Sequence, residues 1–215
     1  MPIDLRPVVA PAHTAVLVIE CQVGVLGEDS PVADLARTVR EGTLVPTLAG
    51  FLESAREAGA RVYHCTVEPG ASESIANSPL GARTRAQVSR SEAKPSEDQQ
   101  LGGVAGAVLP ELGPDPRDVV APRNHGLTIF HETGLDEELR GAGVRTVVLT
   151  GVSVNIAITG AAIEAVNRGF TVVIPSDCVA GYPPAFASDA LRYSLRNLAY
   201  LSTADGVRAA WSVSV

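Results

Sequence analysis

Short, nearly unbroken apolar runs alternate with segments of helical spacing along the whole chain. The runs at 14–21 (TAVLVIEC), 61–66 (RVYHCT), 118–121, 145–151 (RTVVLTG), 170–175 (FTVVIP) and, more weakly, 200–203 predict strands. Several are rich in β-branched residues and do not alternate with polar ones, which is how strands buried on both faces of a parallel sheet read. Between them, residues 32–58, 135–142, 155–168 and 186–198 carry apolar side chains at helical spacing. Gly59, Gly143 and Gly169 close three of these segments, as helix-terminating glycines do. Thr133-x-x-Asp136 reads as a helix start with a capping side chain. Strand–helix–strand units of this length take right-handed crossovers, so the pattern predicts an α/β fold with three α/β/α layers and a mostly parallel, open, Rossmann-like sheet.

Residues 68–100 break the pattern. This stretch is rich in Ser, Gly, Pro, Asn and Gln, with Arg83, Arg85 and Arg90 scattered through it. A polar excursion of that length is either a solvated insertion or a lid over a site. The full length of 215 residues suits one domain spanning 1–215, and 46% hydrophobic residues supply a large core. A formal charge of −7 makes nucleic acid and anionic membrane surfaces poor partners. No apolar run reaches membrane-spanning length, and the first residues lack a charged-then-apolar signal pattern, so a cytoplasmic protein is expected. Cys21, Cys65 and Cys178 lie far apart with no CxxC, so neither a disulfide framework nor a zinc site is indicated.

In an open parallel sheet, ligands bind where the strands end and the strand order reverses. The strand ends nominate Glu20, Cys21 and Gln22, then Pro122 to His125, then Gly151 to Ala157, then Ser176 to Cys178. Glu20 follows five apolar residues. A carboxyl there is either desolvated, hence a candidate general acid, or a structural group paired with Arg123 or a backbone amide. GVSVNIAITGAAIEAVNRG turns a strand directly into a helix, whose first amides can face an anion or an oxyanion; it reads equally as a tightly packed core helix.

The order VLVIECQ, then VVAPRNHGLTIFHETGLDEELRGAGVRTVVLTGVSVNIAITGAAIEAVNRGFTVVIPSDCVAG, resembles the isochorismatase-like (cysteine hydrolase) superfamily. That group includes nicotinamidases, N-carbamoylsarcosine amidases and isochorismatases. The resemblance covers roughly residues 14–207, is firmest from Gly113 onward, and leaves 68–100 unmatched. It rests on carboxylate-x-Gln after the first strand, Phe-x-x-Thr-x-Leu at Phe130, and Gly-Val at Gly151. The family's amidases use an aspartate, a lysine and a cysteine nucleophile. Carried over by position, the aspartate falls on Glu20, one methylene (about 1.5 Å) longer. The lysine falls on Asn124, with Arg123 next to it if the loop is one residue out of register, and the cysteine falls on Ala157.

A methyl group cannot attack a carbonyl, so the resemblance implies that the thioester route is closed. Cys21 neighbours Glu20 but is expected to face the other side of the sheet, and neither Cys65 nor Cys178 opens a helix that would activate a thiol. The nicotinamidases' Asp-x-His after the second strand is missing, and His125 and His131 have no carboxylate partner at ligand spacing, so no metal and no cofactor are expected. The isochorismatase branch hydrolyses a vinyl ether without a thiol, by proton delivery from the strand-end acid followed by addition of water. By that resemblance Glu20 is the general acid, Arg123 holds a substrate carboxylate, Gln22 orients water, and Phe130 and Ser153 complete the site. A cis peptide between Val152 and Ser153 is implied as well. The alternatives are a catalytically degenerate member that binds a small molecule or serves an assembly, and a lyase or isomerase step with Glu20 as base. A small, carboxylated ligand and a homodimer or larger homo-oligomer are expected.

Overall fold

In the computed structural model, the described residues are 4–67, 79, 82, 104–124 and 126–212. The excursion at 68–100, apart from Pro79 and Ala82, lies outside them, as does His125. The strands are β1 (Thr14–Ile19), β2 (Arg61–Cys65), β3 (Val119–Val120), β4 (Thr146–Val152), β5 (Thr171–Pro175), β6 (Val179–Ala180) and β7 (Tyr200–Ser202). They form one seven-stranded sheet in the order β3-β2-β1-β4-β5-β7, with β6 pairing β4. Every pairing between these strands is parallel. All six residues of β1 and all seven of β4 are buried, as continuous apolar runs at the centre of such a sheet require.

The helices are α1 (Val23–Leu26), α2 (Ala33–Glu41), α3 (Leu44–Ala58), α4 (Leu135–Gly141), α5 (Thr159–Asn167), α6 (Pro184–Tyr193) and α7 (Ala204–Ser212). They build two cores, one on each face. Ala15, Leu17, Ile19, Val147 and Leu149 pack with Leu135 and Leu139 of α4 and Ala161, Ala162 and Ala165 of α5. Val16, Val18, Val148 and Val152 pack with Leu48, Phe51, Leu52 and Ala55 of α3 and Val207 of α7. Successive strand residues therefore feed opposite layers. The expected three-layer α/β/α arrangement is observed.

Local differences have physical reasons. The segment expected as one helix over 32–58 is two, α2 and α3. Pro46 cannot donate an intrahelical bond and its ring clashes with the preceding turn, so a new helix starts at Leu44 and seats Pro46 in its first turn. Thr133 does not cap α4 in the expected way: Gly134 holds the cap position at φ 72°, and the Thr133 hydroxyl donates to the Ile129 carbonyl at 2.6 Å. Asp136 instead accepts from Arg140 one turn later, at 2.8 Å. The segment 186–198 starts earlier, at Pro184, and breaks into a 3₁₀ turn at Leu195–Asn197. The helix α7, which follows the last strand, has no counterpart in the sequence pattern read above; its Trp211 stacks on Phe51 at 5.3 Å between ring centres.

The short edge strand β3 is clamped by a buried ionic cluster. Asp118 accepts from Arg56 Nε (3.1 Å) and Nη2 (2.6 Å), from His64 (2.9 Å) and from the Asp115 amide (3.2 Å). An ionised carboxylate only accepts, so His64 Nε2 carries a hydrogen, and in the neutral ring Nδ1 is then bare. Among the described residues, that Nδ1 is buried without a hydrogen-bond partner. Burial pushes His64 below its ordinary 6.5, although Asp118 pulls the other way. Burial alone would raise Asp118, but the hydrogen bonds from Arg56 and His64 outweigh it and hold the carboxyl below 3.8. For His64 the unfolded chain binds a proton near pH 6.5 that the folded chain resists. Its contribution to stability is complete above pH 6.5 and is lost as the pH falls below that value. The melting temperature is expected to drop between pH 7 and pH 5.5, with a visibly smaller drop in His64→Gln, which keeps a donor to Asp118. Equal slopes for the two proteins would refute this.

Candidate functional site

The strand order reverses between β1 and β4, so the carboxyl ends of these two strands are the switch point. Ile19 pairs with Gly151 there. Gly151 has φ 95°, and a Cβ on it would lie 2.3 Å from the Ile19 carbonyl oxygen and 2.9 Å from Cys21 Sγ. Only glycine fits both the backbone and the space. One residue beyond β1, Glu20 adopts φ 55° while its amide still bonds the Cys65 carbonyl at 2.9 Å. A non-glycine residue held in the left-handed region stores strain, and such residues concentrate at functional sites.

Glu20 and Arg123 meet beyond the strand ends, 103 residues apart in sequence, through Arg123 Nη2 and Glu20 Oε1. Arg123 arrives because its backbone continues the β2–β3 ladder: its amide bonds the Thr66 carbonyl at 2.9 Å, and it bridges in parallel to Val67. Its Nη1 donates to the Gly126 carbonyl at 2.7 Å. The side chains are 8% exposed for Arg123 and 15% for Glu20, so the pair sits at the edge of solvent reach. Burial pushes the Glu20 carboxyl above its ordinary 4.5; the charge and hydrogen bond of Arg123 pull it down without cancelling that rise. Asn124, placed by the resemblance at the lysine position, is exposed. Arg123 is the residue that contacts the Glu20 carboxyl.

Ala157 lies in a π-helical turn, Val154–Ile158, between β4 and α5, and is buried. The turn forms because the Ile158 amide reaches back to the Ser153 carbonyl at 3.0 Å. Ser153 is half-buried at its start, after a cis Val152–Ser153 peptide, as the resemblance implied. Two other expected site residues are otherwise engaged. Gln22 does not present its amide to water: Nε2 donates to the carbonyls of Val67 (2.8 Å) and Ala105 (3.0 Å), and Oε1 accepts from the Val67 amide (2.6 Å). It ties the exit of β2 to residue 105 and so supports the backbone that carries Arg123. Phe130 is turned into the core, stacked on Phe170 with the Arg168 guanidinium over its ring at 5.0 Å. The sequence reading missed Gly126, whose carbonyl orients Arg123, and the Asp118 cluster that anchors its strand; a lone Asp before a short apolar run was the only signal.

The three thiols are buried and form no disulfide. Cys21 packs in the α3-side core and Cys65 in the α5-side core, and burial pushes each up to about 12, with Glu20 adding to the rise at Cys21. Burial lifts Cys178 to about 12 as well. Burial disfavours the thiolate form at all three. Among the described residues, no helix is long and apolar enough to cross a membrane.

Comparison with known proteins adds to this geometry. A family model described as "Isochorismatase domain" matches residues 14–206. Ureidoacrylate amidohydrolase RutB of Methylorubrum extorquens is 28% identical over 202 residues, covering 89% of this chain and 80% of that protein. The structure of an isochorismatase family protein from Burkholderia thailandensis superposes with a TM-score of 0.70 at 24% identity, over 94% of this chain and 97% of the other. One from Desulfovibrio vulgaris gives a TM-score of 0.75 at 21% identity, over 93% and 98%.

Proposed function

This chain belongs to the isochorismatase family, and from that premise we propose that it is a hydrolase of a small carboxylated substrate that works without a thiol nucleophile, with Glu20 as general acid. The observation that carries the reading is the pairing of Glu20 with Arg123 at the switch point. Burial raises the Glu20 carboxyl above its ordinary 4.5, which makes it a better proton donor at higher pH than an exposed glutamate. A guanidinium beside it is suited to gripping a carboxylate in two-point fashion. Ala157 presents a methyl where the resemblance expects sulfur, which leaves room for water rather than an attacking group.

The bond broken is activated by protonation. In a vinyl ether the proton goes to carbon, water adds to the oxocarbenium ion, and the hemiketal collapses. The curated relative acts, by its name, on ureidoacrylate, which joins a carboxylate, a carbon–carbon double bond and a nitrogen substituent. A substrate with a heteroatom on a double bond conjugated to a carboxylate fits both the acid and the guanidinium. The same Glu20–Arg123 pair also favours a second reading, a degenerate member whose ion pair simply closes the site.

Two measurements separate these. Product formation from a vinyl-ether carboxylate and from a ureido carboxylate is followed with the wild-type protein; turnover of either supports the hydrolase, and saturable binding without turnover supports the second reading. Ala157→Cys is expected to raise amide hydrolysis by less than about tenfold, because among the described residues a new buried thiol has no lysine beside it to hold it as thiolate. Vigorous amidase activity in that single variant would sink the thiol-independent reading.

A further inference from the structure

The strand β7 ends the sheet on the side away from β3, so one of its edges has no neighbouring strand. Its partner decides which backbone groups line that edge. Tyr200, Leu201 and Ser202 stand opposite Val173, Ile174 and Pro175 of β5. In a parallel pair only alternate residues of a strand bond the same neighbour. A ladder through Leu201 would need an N–H from Pro175, which has none, so the ladder runs from Tyr200 and Ser202 to Ile174. The Leu201 N–H and carbonyl therefore point at the free edge, and among the described residues no turn or loop backbone group bonds either one. An unpaired edge of this kind is a template for another extended chain.

The surroundings of the edge set which chain fits. A groove of about 620 Å³ opens there, its lining including Arg192, Arg196, Asn197, Tyr200 and Leu201. Leu201 pairs with Ile174 of the α5-side core, so its side chain faces the layer of α6. Arg192 lies in the last turn of that helix and Arg196 in the 3₁₀ turn after it, and both are exposed. The Arg192 guanidinium lies over the Tyr193 ring at 5.1 Å, a contact that uses its flat face and leaves its N–H edges open. Among the described residues, neither arginine is in an ion pair, although the chain has 24 acidic residues against 17 basic ones. Asp205 is taken by Arg208 at 2.9 Å, and Asp189 does not line the groove. Two arginines left without a carboxylate make an electropositive strip beside the open edge.

We propose that this edge is a docking site for an extended acidic segment of a partner protein, added as a strand beside β7 through the Leu201 N–H and carbonyl, with carboxylates at alternate positions set against Arg192 and Arg196. Alternate positions are needed because side chains on one face of a strand recur every second residue. A second copy of this chain fits the edge poorly. Pairing β7 with β7 about a two-fold axis brings Tyr200, Leu201 and Ser202 together with the arginines of both copies and no carboxylate from either strand. The docking edge is separate from the pair of Glu20 and Arg123, since β4 and β5 lie between β7 and β1.

The test is fluorescence anisotropy of a dye-labelled Val-Glu-Val-Glu-Val-Glu peptide titrated with the full chain at pH 7. The expected result is saturable binding that the double variant Arg192→Gln, Arg196→Gln weakens by about tenfold or more, as the loss of two charge-assisted pairs requires. Leu201→Pro keeps both arginines and removes only the outward N–H, a change that an edge strand tolerates, and is expected to weaken binding by a similar factor at an unchanged melting temperature. The arginine variant, made on exposed side chains, carries the test if Leu201→Pro melts early. A Val-Lys-Val-Lys-Val-Lys peptide is not expected to bind. No saturable binding of the acidic peptide, unchanged affinity in the arginine variant or in a folded Leu201→Pro, or equal binding of the lysine peptide overturns the proposal. Displacement of the peptide by an equal concentration of glutarate would overturn it in favour of a simple anion site. A dimer seen by sedimentation velocity and lost in Leu201→Pro would overturn it in favour of a second copy.

Discussion

Replacing Glu20 by glutamine is expected to lower turnover of a small carboxylated substrate by about 10²–10⁴-fold, the usual worth of a positioned general acid. Glutamine keeps the length of the side chain and an oxygen for Arg123 Nη2, so the site retains its shape and only the transferable proton is lost. The pH profile gives the sharper reading. A general acid works while protonated, and burial raises the Glu20 carboxyl above 4.5, so wild-type activity should persist above the ordinary carboxylate range and fall as the pH rises through the shifted value. In the variant that falling limb should be absent from whatever activity remains. A Glu20→Gln enzyme with the wild-type rate and the same high-pH limb would remove Glu20 from the chemistry.

The second large effect concerns Asp118. Its side chain is 4% exposed and that of Arg56 is 10% exposed, so removing the carboxylate strands a buried guanidinium and leaves the His64 donor without its acceptor. Breaking a buried pair from one side costs about 3–5 kcal/mol, because the remaining charge has neither partner nor water. Asp118→Ala is therefore expected to lower unfolding stability by that amount, measured by urea denaturation at pH 7. The paired strand β3 is only two residues long and leads within three residues to Arg123, so the loss should reach the site. Asp118→Asn, which keeps two acceptor lone pairs on its oxygen, should cost less. A midpoint for Asp118→Ala within experimental scatter of the wild type would show that the cluster does not hold the strand.

The sheet was legible because burial on both faces leaves an uninterrupted apolar run, and β1 and β4 carry that run for their whole length. The helix break at Gly42–Thr43 was equally present in the chain, since Pro46 fits only the first turn of a new helix; helical spacing on both sides masked it. Glu20 stood out for a related reason: a carboxyl after five buried residues has few places to go. Gln22 and Phe130 were harder, because a polar amide or an aromatic ring at a strand end is as suited to the frame as to a ligand. Here the backbone at Val67 and Ala105 takes the amide, and Phe170 with Arg168 takes the ring.

The chain by itself determines the layers, the parallel sheet, the switch-point address of Glu20 and the methyl at Ala157. These follow from local periodicity and from residue types that no packing can alter. Only the tertiary structure decides that Arg123, not Asn124, lies beside that carboxyl, that His64 and Asp118 share a buried cluster, and that the thiols are divided between two cores. Those facts depend on the register of a two-residue edge strand against its neighbour. A shift of one residue there turns each side chain to the opposite face, and the difference is settled by contacts more than fifty residues apart, beyond the reach of any pattern along the chain.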